Sequence, residues 1–307
     1  MNRSQIHIVT SADSRFLRPL AVLLRSIERS NPDDAPAVTV LTDAAGARDG
    51  VEITSGLDVG WIGVPEGLGS DIELPSYLAA ASLWRLAIPQ LLPADLERVI
   101  YVDADTLVLK PLRPLWETDL GHCTVGAVRD PVVSWFGSPS GPPWDELGVS
   151  ADSPYFNAGV MLIDLTAVRR DEVGERCMTR LRGQRLPHAD QCALNVALVD
   201  AWHRLPPTWN LQCGHFETGG KVVSNIEPRA DLQAAISSPS IVHFNTRAYG
   251  RPWLDGCTHP FLDAWLSTLD ETTYIGWRPE AKVVPRRVLH RAVWHRLRGA
   301  ASVLVRG

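Results

Sequence analysis

In RVIYVDADTLVLKPLRPLW, residues Arg98 to Trp116, an apolar strand pattern ends in two closely spaced carboxylates. Four β-favouring residues, Val99 to Val102, run directly into Asp103-Ala104-Asp105, after which the chain turns apolar again. Side chains alternate across a strand, so both carboxylates fall on one side with Ala104 opposite. In open α/β sheets the carboxyl ends of the strands are where ligands bind. Two hard oxygen donors there suit Mg2+ or Mn2+, especially when a phosphate completes the shell. The same residues are open to a second chemistry, in which Asp103 is itself a nucleophile and forms an aspartyl phosphate. The bland alternative is a strand-ending turn with solvated aspartates.

Outward from this stretch the first half alternates strand-like and helix-like segments. Ile6 to Thr10 predicts a strand, and Phe16 to Arg29 repeats apolar residues at Leu20, Leu23, Leu24 and Ile27 with a helical period. Val38 to Leu41 is again strand-like, WIGV at Trp61 is a weaker strand, and Pro75 to Leu92 predicts a helix before the strand at Val99. This βαβ rhythm argues for an α/β fold around a parallel sheet. From Ser134 to Pro154 the chain is rich in Gly, Pro and Ser and predicts a long loop. The apolar segment YFNAGVMLIDL (Tyr155 to Leu165) follows, then a helical stretch, LPHADQCALNVAL, and a late strand ending near His243.

The 307 residues, 45% hydrophobic and 21% charged, are those of a soluble globular protein with ample material for a core. No apolar run reaches the ~18 residues that span a bilayer. The start, MNRSQIHIVT, passes into a strand without a secretory h-region, and the five scattered cysteines lack a close CxxC pair. Both observations predict a cytoplasmic protein with reduced thiols. Net charge is −5, unevenly spread: residues 278–307 carry +7 and the rest −12. After Pro285 this tail draws as a helix with Leu289, Ala292, Val293, Leu297, Ala300 and Leu304 along one side and Arg287, Arg291, His295 and Arg298 on another. A basic amphipathic helix suits an anionic membrane surface, and a helix packed on the domain is the alternative. No aromatic or motif pattern supports nucleic-acid binding.

Family resemblance separates the two chemistries of Asp103. VIYVDADTLVL is similar to the first motif of haloacid-dehalogenase-like phosphatases, but that motif lies near the N-terminus and has Gly where Thr106 stands here. No later strand ends in the paired acids those enzymes need. By contrast RVIYVDADTLVLKPLRPLW, YFNAGVMLIDL, ADQCALNVAL and IVHFNTRAYGRPW, preceded by a strand leading to TSADSRF, occur in the order found in family 8 of the retaining glycosyltransferases. The chain resembles that family, which includes glycogenin-like and lipopolysaccharide-type galactosyl- and glucosyltransferases, from Ile6 to Trp253.

The resemblance implies a GT-A fold over residues 1–270, a Rossmann-like sheet binding a UDP-sugar with Mn2+ or Mg2+, followed by a basic helical extension, 271–307. It implies Asp103, Asp105 and His243 as metal ligands, and imidazole beside carboxylates favours Mn2+. Ser11, Asp13, Arg15 and Phe16 match the loop that receives uracil and ribose, with Phe16 stacking on the base. An isolated Asp13 would otherwise be a helix N-cap. Ala104 belongs to the donor-binding DxD segment. Arg85 matches an arginine that reaches donor sugar and phosphate, and Asn157, Ala158 and Gly159 match the segment lining the sugar. Asp190 would accept from sugar hydroxyls, and the amide of Gln191 would lie under the anomeric carbon.

Two departures from the family pattern stand out. Cys192 occupies the place of a second Asp after the DQ pair, and the family's HxxGxxKPW becomes HFNTRAYGRPW, so that Arg251 replaces a lysine. Arg247 and Arg251 both remain candidates for the diphosphate. The expected activity is a metal-dependent, retaining transfer of glucose or galactose to a hydroxyl acceptor, a glycan, lipid-linked saccharide or small molecule. Its alternatives are a phosphatase using Asp103 and a degenerate sugar-nucleotide binder.

Overall fold

The computed structural model describes residues 4–49, 56–217, 227–245 and 249–280. The segment beyond 280, which carries most of the predicted basic helix, and Arg247 lie outside the described residues. Among the described residues ten strands form two sheets. The larger contains β1 (His7–Ser11), β2 (Ala37–Thr42), β3 (Asp58–Gly63), β4 (Arg98–Val102), β6 (Val125–Arg129), β7 (Phe156–Asp164) and β8 (Trp202–Arg204) in the order β3-β2-β1-β4-β7-β6-β8. The smaller pairs β5 (Thr106–Val108), β10 (Ile241–His243) and β9 (Leu211–Gln212).

The predicted parallel sheet is present from β3 to β4, where every pairing is parallel. β7 then runs antiparallel to β4 and to β6. β4 and β6 therefore point the same way, and their carboxyl ends share one edge with the amino end of β7. Side chains of β4 alternate as their period demands. Val99 and Tyr101 enter the core on one face with Met161, Leu165 and Cys192, while Ile100, Val102 and Ala104 enter the other with Leu20, Leu24 and Ile27 of helix Leu17–Ser30. A third cluster, centred on Trp265 of helix Leu262–Leu269, packs Leu107, Val242 and Phe244 of the small sheet against Val22.

Two expectations are modified. The single helix expected over Pro75–Leu92 is instead a 3-10 turn, Ala80–Ala87, followed by a short α-helix, Ile88–Leu91. Pro89 has no N–H to give to the carbonyl of Arg85 four residues back, so a regular α-helix cannot run through it. Ile88 N–H takes that carbonyl in a tighter bond. The stretch 134–154 is irregular as expected, but it is closed at its base by Tyr155 N to Ser134 O (3.1 Å), Phe136 N to Ser153 O (3.0 Å) and Gly137 N to Ala151 O (2.8 Å). Phe136 is buried against Tyr155, with ring centroids 5.4 Å apart.

None of the five cysteines forms a disulfide. Among the described residues no helix is long and apolar enough to cross a membrane. Residues 271–280 lie against helix Leu17–Ser30: Glu271 pairs with Arg25 (2.9 Å) and Arg29 (3.1 Å), and the Arg18 guanidinium sits 4.6 Å from the Trp277 ring centre.

The turn that feeds β4 is held by one residue. Arg169 donates through Nε to Pro89 O (3.0 Å), through Nη1 to Ala94 O (3.1 Å) and Leu96 O (2.8 Å), and through Nη2 to Leu92 O (3.3 Å) and Pro93 O (2.8 Å). Hydrogen bonds from a charged donor contribute ~1.5–3 kcal/mol. Arg169→Ala is therefore expected to lower the unfolding free energy by about 2 kcal/mol in urea titrations. Arg169→Lys should recover only part, because an ammonium offers fewer donors in no fixed fork.

Candidate functional site

The sheet edge that gathers the ends of β4, β6 and β7 opens into a cavity of about 340 Å³, within the range of small-molecule sites. Of the residues singled out in the sequence, Arg85, Asp103, Asp105, Asn157, Asp190, Gln191, His243 and Arg251 line it together. Sequence neighbours do not explain this convergence. The small sheet does: His243 of β10 pairs with Thr106 of β5, and Phe244 N donates to Asp105 O at 2.9 Å. That register carries His243 to the aspartates, with Nε2 3.1 Å from Asp105 Oδ1 and 3.7 Å from Asp103 Oδ2.

A break in the β6–β7 register shapes the opposite wall. Ala127 pairs with Met161 but Val128 pairs with Asn157, so Ala158, Gly159 and Val160 have no partner in β6. Such bulges re-aim the chain next to active sites. Here Gly159 O accepts from Asp103 N at 2.7 Å. A Cβ on Gly159 would lie 2.2 Å from His243 Cε1 and 2.8 Å from Asp103 Oδ2, so only glycine lets the strand pass this close.

One ligand atom from each of Asp103, Asp105 and His243 lies within 4.8 Å of the others. Two carboxylates and an imidazole fit a divalent ion such as Mn2+. The histidine is also prepared for it: Nδ1 bonds Asn210 Oδ1 at 3.0 Å, which leaves Nε2 on the carboxylate side. Burial and the adjacent Asp105 push Asp103 up despite Arg85, whereas His243 outweighs burial at Asp105 and draws it below its ordinary value. Burial alone would lower His243, but contact with Asp105 raises it. The two carboxylates and the imidazole together form a clamp.

Arg85 joins this clamp to the DQ pair. Its side chain is 8% exposed, and it contacts Asp103 Oδ1 through Nη2 (3.0 Å), Asp190 Oδ2 through Nε (2.9 Å) and Ala158 O through Nη1 (2.6 Å). Asp190 and Gln191 open helix Ala189–Ala197, whose first residue takes a left-handed φ of 38°. Asn195, one turn on, accepts from Phe156 N (2.7 Å) and donates to Phe156 O (2.8 Å), fastening the helix to β7. Gln191 Oε1 accepts from Asn157 Nδ2 (3.0 Å) and Ala158 N (3.2 Å), while its Nε2 donates to Asp130 Oδ2 (3.3 Å).

The remaining candidates stand around the cavity without lining it. Ser11 Oγ bonds Tyr101 Oη (2.9 Å), and Tyr101 Oη donates to Asp103 Oδ1 (2.8 Å), so the β1 loop reaches the clamp through a tyrosine. Asp13 caps the 3-10 turn Ser14–Phe16, accepting from Arg15 N (3.0 Å), and its carboxylate pairs with the Arg15 side chain (2.6 Å). Phe16 packs edge-on against Trp253 at 5.1 Å, bringing the first loop to the RPW segment. The methyl of Ala104 is buried in the core. Cys192 is buried, with Sγ 3.0 Å from Tyr155 Oη, and burial pushes its thiol up to about 12.

Sequence reasoning passed over Tyr101, Asp130, Asn195 and Asn210. Tyr101 was within reach, since it shares a strand face with Asp103 two residues on. Asp130, at the carboxyl end of β6, carries the same signal in weaker form. Asn210 lies in an irregular stretch between the 3-10 turn Pro207–Trp209 and β9, where no pattern marks it.

Two expectations come from this geometry. Gly159→Ala should drive His243 and Asp103 apart, lowering Mn2+ affinity at least ~10-fold in calorimetric titration while far-ultraviolet circular dichroism stays unchanged. For Asp190, burial only partly offset by Arg85 pushes the carboxyl up to about 6 from its ordinary 3.8. The folded chain thus holds this proton more tightly than the unfolded chain. The stability it confers is full below 3.8 and is lost as pH rises through 6. At ~1.4 kcal/mol per pKa unit the loss is of order 2–3 kcal/mol. Asp190→Asn, which does not titrate, should show correspondingly less loss in urea unfolding of the metal-free protein on either side of that window.

Comparison with known proteins agrees with the site. The family model for glycosyl transferase family 8 matches residues 7–257. General stress protein A of Bacillus subtilis (strain 168) is 27% identical over 287 residues, covering 89% of this chain and 96% of that protein. The lipopolysaccharide 1,3-galactosyltransferase of Salmonella typhimurium is 25% identical over 247 residues, 73% of this chain and 68% of that one. A crystal structure of galactosyltransferase LgtC in complex with donor and acceptor sugar analogues aligns with a TM-score of 0.74 at 21% identity, covering 93% of this chain and 100% of that one, and shares the fold. A match to the family over nearly the whole described body, with the DxD, DQ and histidine positions meeting in one cavity, sets the phosphatase reading aside: the chain is a glycosyltransferase of family 8 with the GT-A fold.

Proposed function

We propose that this glycosyltransferase moves a hexose, glucose or galactose, from a UDP-sugar to a hydroxyl acceptor, with retention of configuration and with Mn2+ or Mg2+. The observation that carries the reading is the Asp103–Asp105–His243 cluster on the wall of a cavity shared with Asp190, Gln191 and Arg251. A divalent ion bound there supplies positive charge against the departing diphosphate. Arg251, also on the wall, offers a second cationic group with a planar fork suited to phosphate. Asp190 would accept from sugar hydroxyls; it shares Arg85 with Asp103.

The retaining outcome that the family suggests would proceed here without a sugar bound covalently at the Gln191 face. An amide is too poor a nucleophile for easy double displacement, and the oxygen of Gln191 already accepts two bonds. The neighbouring position is Cys192, whose thiol is buried, bonded to Tyr155 and held protonated. Asp130 on that face is held by Val132 N, Val133 N, Asn157 and Gln191, and position 192 carries no acid, so the acceptor would enter on the side from which UDP leaves and a donor phosphate oxygen would take its proton. The intact DxD, DQ and histidine positions also favour an active enzyme over a degenerate binder.

The test is turnover across a panel of UDP-sugars with and without Mn2+. Hydrolysis or transfer should require the metal and fall at least ~100-fold in Asp103→Asn, Asp105→Asn and His243→Ala. Proton NMR of the product from an α-linked donor should show an α linkage. Metal-independent turnover, or a β product, would overturn the reading.

A further inference from the structure

Donor and acceptor accounting fixes the direction of a buried chain of side chains that ends on His243. Gly159 N donates to Asn157 Oδ1 at 3.0 Å, and on the other side of that amide Asp130 Oδ2 lies 3.1 Å from Asn157 Nδ2. A backbone N–H only donates and an ionised carboxylate only accepts. Asn157 therefore has a single orientation, settled at both ends. Its Oδ1 also meets Asn210 Nδ2 at 2.9 Å, so Asn210 donates there and turns its own Oδ1 toward His243 Nδ1 at 3.0 Å. An amide oxygen only accepts, so Nδ1 carries the proton. Asn210 is 0% exposed, His243 2% and Asn157 5%, so these bonds lie away from bulk solvent.

We infer that Asn210 is a positioning residue for the metal cluster: it fixes His243 as the Nδ1–H tautomer, aims Nε2 at the ion, and through Asn157 ties that histidine to Gln191. The inference rests on the reading that Asp103, Asp105 and His243 hold a divalent ion, and it adds what prepares the histidine to do so. Without the Asn210 oxygen, the buried Nδ1–H loses its acceptor and the ring is free to turn or to move its proton to Nε2, where a ligand lone pair is needed. The same amide has a second function. Its N–H donates to the oxygen of Asn157, whose own N–H holds Gln191 Oε1.

The two functions separate in two variants of the full chain. Asn210→Ala removes both. Mn2+ affinity measured by calorimetry should fall ~10- to 100-fold, and the histidine nitrogen modulation in pulsed EPR of bound Mn2+ should disappear. Asn210→Asp keeps an oxygen for Nδ1–H but cannot donate to Asn157. It should keep the nitrogen modulation and bind Mn2+ within a few-fold of the unaltered protein, while kcat falls more than donor KM rises. If the alanine variant does not fold, Asn210→Ser, too short to reach Nδ1, replaces it with the same loss expected. Wild-type affinity and an unchanged nitrogen signal in Asn210→Ala would overturn the inference alone, as would an equal loss of Mn2+ in Asn210→Asp. Failure of the unaltered protein to take up Mn2+ would overturn the metal reading, and this inference with it.

Discussion

A single buried guanidinium makes the site possible. Asp103, Asp105 and Asp190 share one cavity, and buried carboxylates at such separations repel one another and resist ionisation. Arg85 stands between them, paired with Asp103 on one side and Asp190 on the other. Its own charge is secured by those partners, which raise its pKa further despite burial. Its guanidinium also lies over the Tyr101 ring, 4.8 Å from the ring centre, a further favourable contact for the cation. Even so, one arginine does not neutralise three acids. Burial outweighs it at both Asp103 and Asp190, and the remaining negative charge is what a divalent ion would relieve.

Topology supplies the rest by bringing chain ends together. The parallel half of the sheet delivers the DxD segment to the edge, and reversal at β7 returns Asn157 to that edge from the other direction. The register break at Ala127/Val128 then lets Ala158 and Gly159 leave the β6 ladder and press against the clamp. The two-residue register of β9 and the three of β10 are short, yet they decide where His243 goes. That strand is anchored from behind by Trp265 and Phe244, both fully buried, so packing behind the cavity sets the position of His243.

Much of this was legible in the sequence because it rests on period and order. Strand alternation put Asp103 and Asp105 together with Ala104 opposite, and the structure buries Ala104 in the far core. The βαβ rhythm gave the parallel half of the sheet. The antiparallel turn at β7 was not legible, since a fully buried strand reads the same in either direction. The segment from Pro75 misled because its apolar spacing is helical while Pro89 forbids the regular α-helical bond. Asn210 was invisible for a different reason. A polar residue in a loop announces nothing until its partners are known, and its partners come from β7 and β10.

The two halves of the cavity use different chemistry, and the difference explains Cys192. On the DxD side the groups are charged and compete for a cation. On the DQ side Asn157, Asn195, Asn210 and Gln191 are amides, which both donate and accept and so fix orientation without adding charge. Two carboxylates stand beside them, and both are occupied: Asp190 pairs with Arg85, while Asp130 Oδ1 accepts from Val132 N and Val133 N and its Oδ2 from Asn157 and Gln191. A further carboxylate at position 192 would sit against Tyr155 and the apolar core that includes Phe136 and Leu186, with no cation beside it. An ionised carboxylate buried there without a paired charge is costly. A thiol fills the space, gives Tyr155 a partner and stays neutral, while Gln191 beside it is held by Asn157, Ala158 and Asp130.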